Sequence, residues 1–136
     1  MSKTALTREI ETAFANTFPF LKIEHKLRDG CRCDLGGSCG GVSYGIEIKT
    51  TIADMNSGYG LNQEKYNYGY LAVPEKLVKY AVGHLYVNGY HNTGVLGVDG
   101  HRYTVHKSAR MNNPSNPAYF FLNISVIEGG DCVGGK

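Results

Sequence analysis

Residues 42–50 alternate almost without interruption, with Val42, Tyr44, Ile46 and Ile48 set against Ser43, Gly45, Glu47 and Lys49. A period of two sends the two sets to opposite faces of an extended chain. The stretch therefore reads as a strand with one face in a core. Its polar set carries a glutamate and a lysine two positions apart, side by side on one face.

The flanking sequence builds outward from this strand. Residues 36–41, Gly-Gly-Ser-Cys-Gly-Gly, read as a glycine-rich turn, and residues 32–35 as a short strand before it. Leu21, Ile23 and Leu27 alternate with Lys22, Glu24, Lys26 and Arg28, which predicts another strand ending at the Asp29-Gly30 turn signal. Upstream, Ala5, Leu6, Ile10, Ala13 and Phe14 recur near helical spacing, with Thr4 or Thr7 as the cap and Pro19 as the stop. Downstream, residues 51–60 read as a mobile loop and residues 61–67 as a short helix. Residues 68–73 read as a buried strand, and Pro74 as the first residue of a helix running to about Val82. Residues 94–98 and 102–105 form a hairpin about Asp99-Gly100. Residues 112–117 read as loop, and residues 119–127 are apolar enough to be helix or strand. The order is helix, three strands, strand, helix and hairpin, which is a mixed α/β domain.

At 136 residues the chain is one ordinary domain. A net charge of +2 gives no basic excess that would by itself announce nucleic acid, although clustering matters more than the sum. No apolar run reaches the roughly 20 residues of a membrane helix. Residues 1–17 mix Lys3, Arg8, Glu9 and Glu11 among the apolar positions, unlike a signal peptide. The expected setting is the cytoplasm, or a host cell's cytoplasm, where Cys31, Cys33, Cys39 and Cys132 would be free thiols.

Paired as an antiparallel hairpin, residues 32–35 and 42–50 bring Asp34 beside Glu47 with a modest register offset. Two adjacent carboxylates repel unless a cation joins them. A hard divalent ion accepts carboxylate oxygens and retains waters. A lysine on the same face can then hold a water or offset charge on a phosphate. The chemistry that suits such a set is metal-assisted phosphodiester hydrolysis.

Cys33-Asp34-Leu35, twelve intervening residues and Glu47-Ile48-Lys49-Thr50 resemble the PD-(D/E)XK, restriction-endonuclease-like nuclease superfamily. The following order is similar too: the Gln63–Tyr66 region, a strand ending Val73-Pro74-Glu75, a helix, and the strand through Gly94 to Asp99. The resemblance covers roughly residues 5–110. It implies an α/β fold, a restriction-endonuclease-like mixed central sheet flanked by helices, as one nuclease domain over residues 1–128 before a glycine-rich tail at 129–136. It implies a DNA nuclease in which Asp34 and Glu47 hold Mg²⁺, with Mn²⁺ substituting and the Ile48 backbone carbonyl helping. Lys49 would be the catalytic lysine, and Glu11 or Glu9 would complete the site from the first helix. Gln63 and Tyr66 would meet substrate, but Asn67 stands where some members carry a tyrosine four residues after the glutamine.

Other features have plainer alternatives. Asp34, Glu47 and Lys49 also fit a solvated strand face carrying an ion pair. Lys65, Arg102, His106, Lys107 and Arg110 fit phosphate contacts or an ordinary basic surface. Tyr59, Tyr66, Tyr68 and Tyr70 fit base stacking or, more simply, sheet packing. Cys31, Cys33, Cys39 and Cys132 lack the spacing of a zinc knuckle, though a cysteine-bound metal module is a competing reading. His84, His91 and His101 carry no assignment. Small size points to a homodimer or a protein partner, as in a phage or mobile-element nuclease. The alternative reading is a catalytically silent protein of nuclease fold that binds nucleic acid or inhibits a partner.

Overall fold

A computed structural model describes residues 4–27, 30, 32–58, 64–112 and 124–131. The chain opens with helix α1 (Ala5–Thr17), whose first turn is capped where the Thr4 side chain accepts the Thr7 amide. Strands β1 (Lys22–Lys26), β2 (Arg32–Cys39) and β3 (Val42–Ile48) follow. A short helix, α2 (Ile52–Asn56), leads to β4 (Tyr68–Pro74). A 3₁₀ turn (Glu75–Leu77) runs into α3 (Val78–Val87), and β5 (Gly94–Asp99) and β6 (Arg102–Lys107) complete the sheet.

The six strands lie side by side in chain order. β1, β2 and β3 pair antiparallel, β3–β4–β5 parallel, and β5 and β6 antiparallel. The mixed central sheet flanked by helices is thus present. Parallel neighbours need a crossover rather than a tight turn, and the segments holding α2 and α3 supply the two crossovers.

The alternation along β3 divides the two faces. Tyr44, Ile46 and Ile48 join Ile10 and Phe14 of α1, with Leu35, Tyr68, Tyr70, Ala72 and Leu96, in the larger core. On the opposite face Leu71, Val73 and Val95 pack with Met55 of α2 and with Ala81 and Leu85 of α3. Because β4 and β5 are covered on both sides, they read as continuous apolar runs rather than alternations.

Several local expectations change. β2 does not stop at Leu35 but continues to Cys39, and the turn is only Gly40-Gly41, both at positive φ. Gly36 and Gly37 stay in the strand because neighbours press against their bare Cα atoms: a Cβ on Gly37 would lie 2.1 Å from the Phe20 carbonyl oxygen. Residues 51–60 are not simply loop, since the Thr51 side chain accepts the Asp54 amide and nucleates α2. Residues 64–67 form turns and bends instead of helix. Pro74 ends β4 rather than opening the helix. The expectations for residues 61–63, 113–123 and 132–136 lie outside the described residues.

Candidate functional site

The β2–β3 ladder runs from Cys39/Val42 to Leu35/Ile46 and stops there. The next pair in that register is Asp34 and Glu47, so they face each other with no offset. Beyond Leu35 and Ile46 the side chains take over the bonding between strands. The Ile48 amide donates to Asp34 Oδ2 at 2.8 Å, and the Asp34 amide donates to Glu47 Oε1 at a longer 3.4 Å. The carboxylates therefore fill a fork between two strands, each accepting an amide of the other strand.

Lys49 follows directly. Its amide is held by the Ala72 carbonyl at 3.0 Å, extending the β3–β4 pairing by one residue. Its ammonium lies 3.9 Å from Glu47 Oε2, and the two side chains are only 9% and 14% exposed. An ion pair so shielded from water is screened far less than a surface pair. Glu47 stands beside Leu71 in the parallel register, so it leaves the sheet on the face that carries α2 and α3.

Two further elements border this fork, of which only His25 went unmarked in the sequence. The Cys33 thiol is buried and donates to the carbonyls of Leu35 and Ile46, both at 3.2 Å. Burial, reinforced by the Glu47 charge and then that of Asp34, pushes it up to about 12, which favours the protonated thiol over the thiolate. The second element is His25 on β1. Its Nδ1 is 3.0 Å from the Tyr66 hydroxyl, and the Tyr66 ring is buried over Gly36 and Gly45. Neither glycine was a sequence-level signal for a site. What marks them is that they are exact register partners, Gly36 opposite Gly45, one row along from Asp34 and Glu47.

The remaining candidates separate. Glu11 is buried on the inward side of α1, while Glu9 is exposed. Gln63 and Tyr59 lie outside the described residues, and Lys65 is exposed on the turn before β4. Tyr66, Tyr68 and Tyr70 are all buried, so their rings are not open to bases. Tyr68 stacks on Tyr44 with ring centroids 5.6 Å apart, which is the sheet-packing alternative. Lys107 belongs to β6, three strands from β3. Its ammonium donates to the carbonyls of His91 at 2.9 Å and Thr93 at 2.5 Å, and burial, with the nearby Arg110 charge, lowers its pKa. His106 is engaged by both Glu75 oxygens, at 2.8 and 2.9 Å. Cys39 is disulfide-bonded rather than a free thiol. Cys31 and Cys132 lie outside the described residues. Among the described residues no group of three or more His, Cys, Asp or Glu side chains forms a ligand cluster. No described helix is long and apolar enough to cross a membrane.

The donors at the fork suit Mg²⁺ by type. Two carboxylates converge there, and the Ile48 carbonyl is adjacent in the chain. All are hard oxygen donors, and Mg²⁺ characteristically takes one or two carboxylates and completes its shell with water and substrate. Fewer than three acidic side chains at the fork itself is compatible with that habit.

No protein-family model matches this chain, and no curated protein matches it. Among solved structures, the chain is similar to a protein of unknown function from Silicibacter pomeroyi. The TM-score is 0.63 at 16% identity, covering 89% of this chain and 82% of the other. That likeness concerns the fold alone.

Proposed function

We propose that the protein is a metal-dependent nuclease of restriction-endonuclease-like fold that hydrolyses phosphodiester bonds in DNA. The observation that carries this reading is the fork itself: Asp34 and Glu47 face each other where β2 and β3 part, with the Lys49 ammonium 3.9 Å from Glu47. A solvated strand face, the plainer alternative, does not bury a lysine to 7% exposure.

Asp34, Glu47 and the Ile48 carbonyl would hold Mg²⁺, or Mn²⁺ in its place; Glu11 is the further acidic candidate that the resemblance gives, on α1, which packs against the Ile46 and Ile48 face. A metal there supplies Lewis-acid stabilisation of the phosphate and a water of lowered pKa. The chain's own groups do the rest. The Ile48 and Asp34 amides fix the two carboxylates before substrate arrives, so little reorganisation is needed during reaction. The Lys49 ammonium offsets negative charge developing on the phosphate oxygens, in surroundings where water screens it weakly. Holding Lys49 through both its amide and its ion pair fixes where that charge acts.

The test is cleavage of supercoiled, linear and single-stranded DNA with Mg²⁺, Mn²⁺ or chelator, using wild type, Lys49→Ala and Glu47→Ala. The expected result is metal-dependent cutting by wild type, with both variants folded and at least about 100-fold slower. Wild-type protein inert on all three substrates, or variants that cut equally well, would overturn the reading. The protein would then be better regarded as a binding or inhibitory member of the same fold.

A further inference from the structure

We propose that His25 is the general acid of this hydrolysis, giving the proton on Nε2 to the sugar oxygen that leaves phosphorus. The inference rests on the nuclease reading above and adds a residue to it.

The geometry is that of a histidine oriented at one nitrogen for work at the other. Nδ1 is engaged by the Tyr66 hydroxyl at 3.0 Å, and among the described residues Nε2 makes no hydrogen bond. His25 is half-buried, while Tyr66 behind it is only 4% exposed. A fixed partner on one ring nitrogen sets the orientation of the ring and leaves the other for proton transfer.

The platform beneath this pair is built for it. A Cβ on Gly45 would lie 2.4 Å from the Tyr66 ring, and one on Gly36 would lie 2.6 Å from His25 Nδ1 and 2.8 Å from the Tyr66 hydroxyl. Only two glycines in register allow Tyr66 and His25 to sit directly on the sheet. Gly36 and Gly45 are two residues from Asp34 and Glu47 along their strands, on the same face, about 7 Å away. Glu24, which precedes His25, has φ 55°, an uncommon conformation for a residue other than glycine. In a regular strand His25, opposite Cys33, would turn to the Leu35 side, yet it meets Gly36 instead. The left-handed residue coincides with that change of face.

The step balances without a further reagent. The oxygen of water bonds to phosphorus as the bond from phosphorus to the sugar oxygen breaks. That oxygen keeps the bonding pair and takes the proton from His25 Nε2. The water's proton passes to solvent, and the neutral imidazole is reprotonated from solvent.

A purely structural His25–Tyr66 pair would slow every substrate alike, whereas an acid is needed only when the leaving group is a poor one. The experiment compares duplex oligonucleotides with a single sulfur at the 3′- or the 5′-bridging position of the cut phosphate against the all-oxygen duplex. A thiolate leaves without protonation. His25→Ala should cut the all-oxygen duplex about 100-fold slower than wild type, and one of the two sulfur duplexes at close to the wild-type rate. Tyr66→Phe, which keeps the ring on its glycines, should show the same selectivity more weakly. Equal slowing of His25→Ala on oxygen and sulfur substrates would overturn the acid role. Glu47→Ala inert on both types, beside an active wild type, would keep the nuclease reading standing independently. Wild type inert on all duplexes, and on supercoiled and single-stranded DNA as well, would remove that reading and this one together; cutting of single strands alone moves the same sulfur comparison to a single-stranded oligonucleotide.

Discussion

The Ile48 amide reaches across the parting of β2 and β3 to donate to Asp34 Oδ2 at 2.8 Å. One carboxylate thereby closes the sheet where its ladder ends and also takes a place among the candidate metal ligands. Charge and hydrogen-bond acceptance are separable at this position. Asp34→Asn keeps an acceptor oxygen and should stay within about 1 kcal/mol of wild-type stability while losing cleavage. Asp34→Ala strips the acceptor as well and should cost about 1–3 kcal/mol. Denaturant unfolding alongside a cleavage assay measures both. Full activity in Asp34→Asn would remove the carboxylate from the chemistry.

Gly45 has a single mechanical duty. Alanine there would place its Cβ against the Tyr66 ring, and rings in a packed site give way poorly. Gly45→Ala should destabilise the fold by about 1–3 kcal/mol and displace Tyr66, with cleavage reduced further than the stability loss explains. Gly83, whose added Cβ would meet nothing within 4 Å, is the control position. Equal tolerance of alanine at both sites would contradict the close approach of Tyr66.

Lys107 fits phosphate contact by sequence, yet its ammonium is spent on the carbonyls of His91 and Thr93. Lys107→Met should therefore lower stability by about 1–3 kcal/mol and leave DNA affinity and its salt dependence unchanged. A shallower salt slope in the variant would return Lys107 to the substrate surface.

The Tyr70 hydroxyl donates to Glu128 Oε2 and meets Ser125 Oγ, both at 2.5 Å, which ties the segment at residues 124–131 to β4. Burial, and then the bond with Glu128, raises Tyr70 above the ordinary tyrosine value of 10.0. In the folded state the phenol stays protonated where the unfolded chain would ionise. Its contribution to stability is thus complete below pH 10.0 and is lost as pH rises beyond that value. Tyr70→Phe should be about 1–3 kcal/mol less stable at neutral pH, with a gap to wild type that narrows above pH 10.0. Unfolding measured from pH 7 to 11 tests this, and a constant gap would show that the phenol does not titrate differently on folding.

The strand at 42–48, the α1 cap at Thr4, the β5–β6 hairpin and the pairing of Asp34 with Glu47 were legible in the sequence. Each depends on local periodicity or on residues a few positions apart, and local chemistry determines such features. Gly36 and Gly37 misled because a run of glycines signals a turn locally, while their actual role is to admit Tyr66, His25 and the Phe20 carbonyl from distant parts of the chain. His25 carried no signal either, since its neighbour Tyr66 is 41 residues away. The surroundings of Lys107 were hidden for the same reason, because no sequence pattern shows an ammonium held by two carbonyls. The sequence by itself determined the strands and the two acids and lysine they carry. Only the tertiary structure decided where the β2–β3 ladder stops, and therefore that Asp34 and Glu47 meet in a fork, because that end point depends on what packs against the strands rather than on the strands themselves.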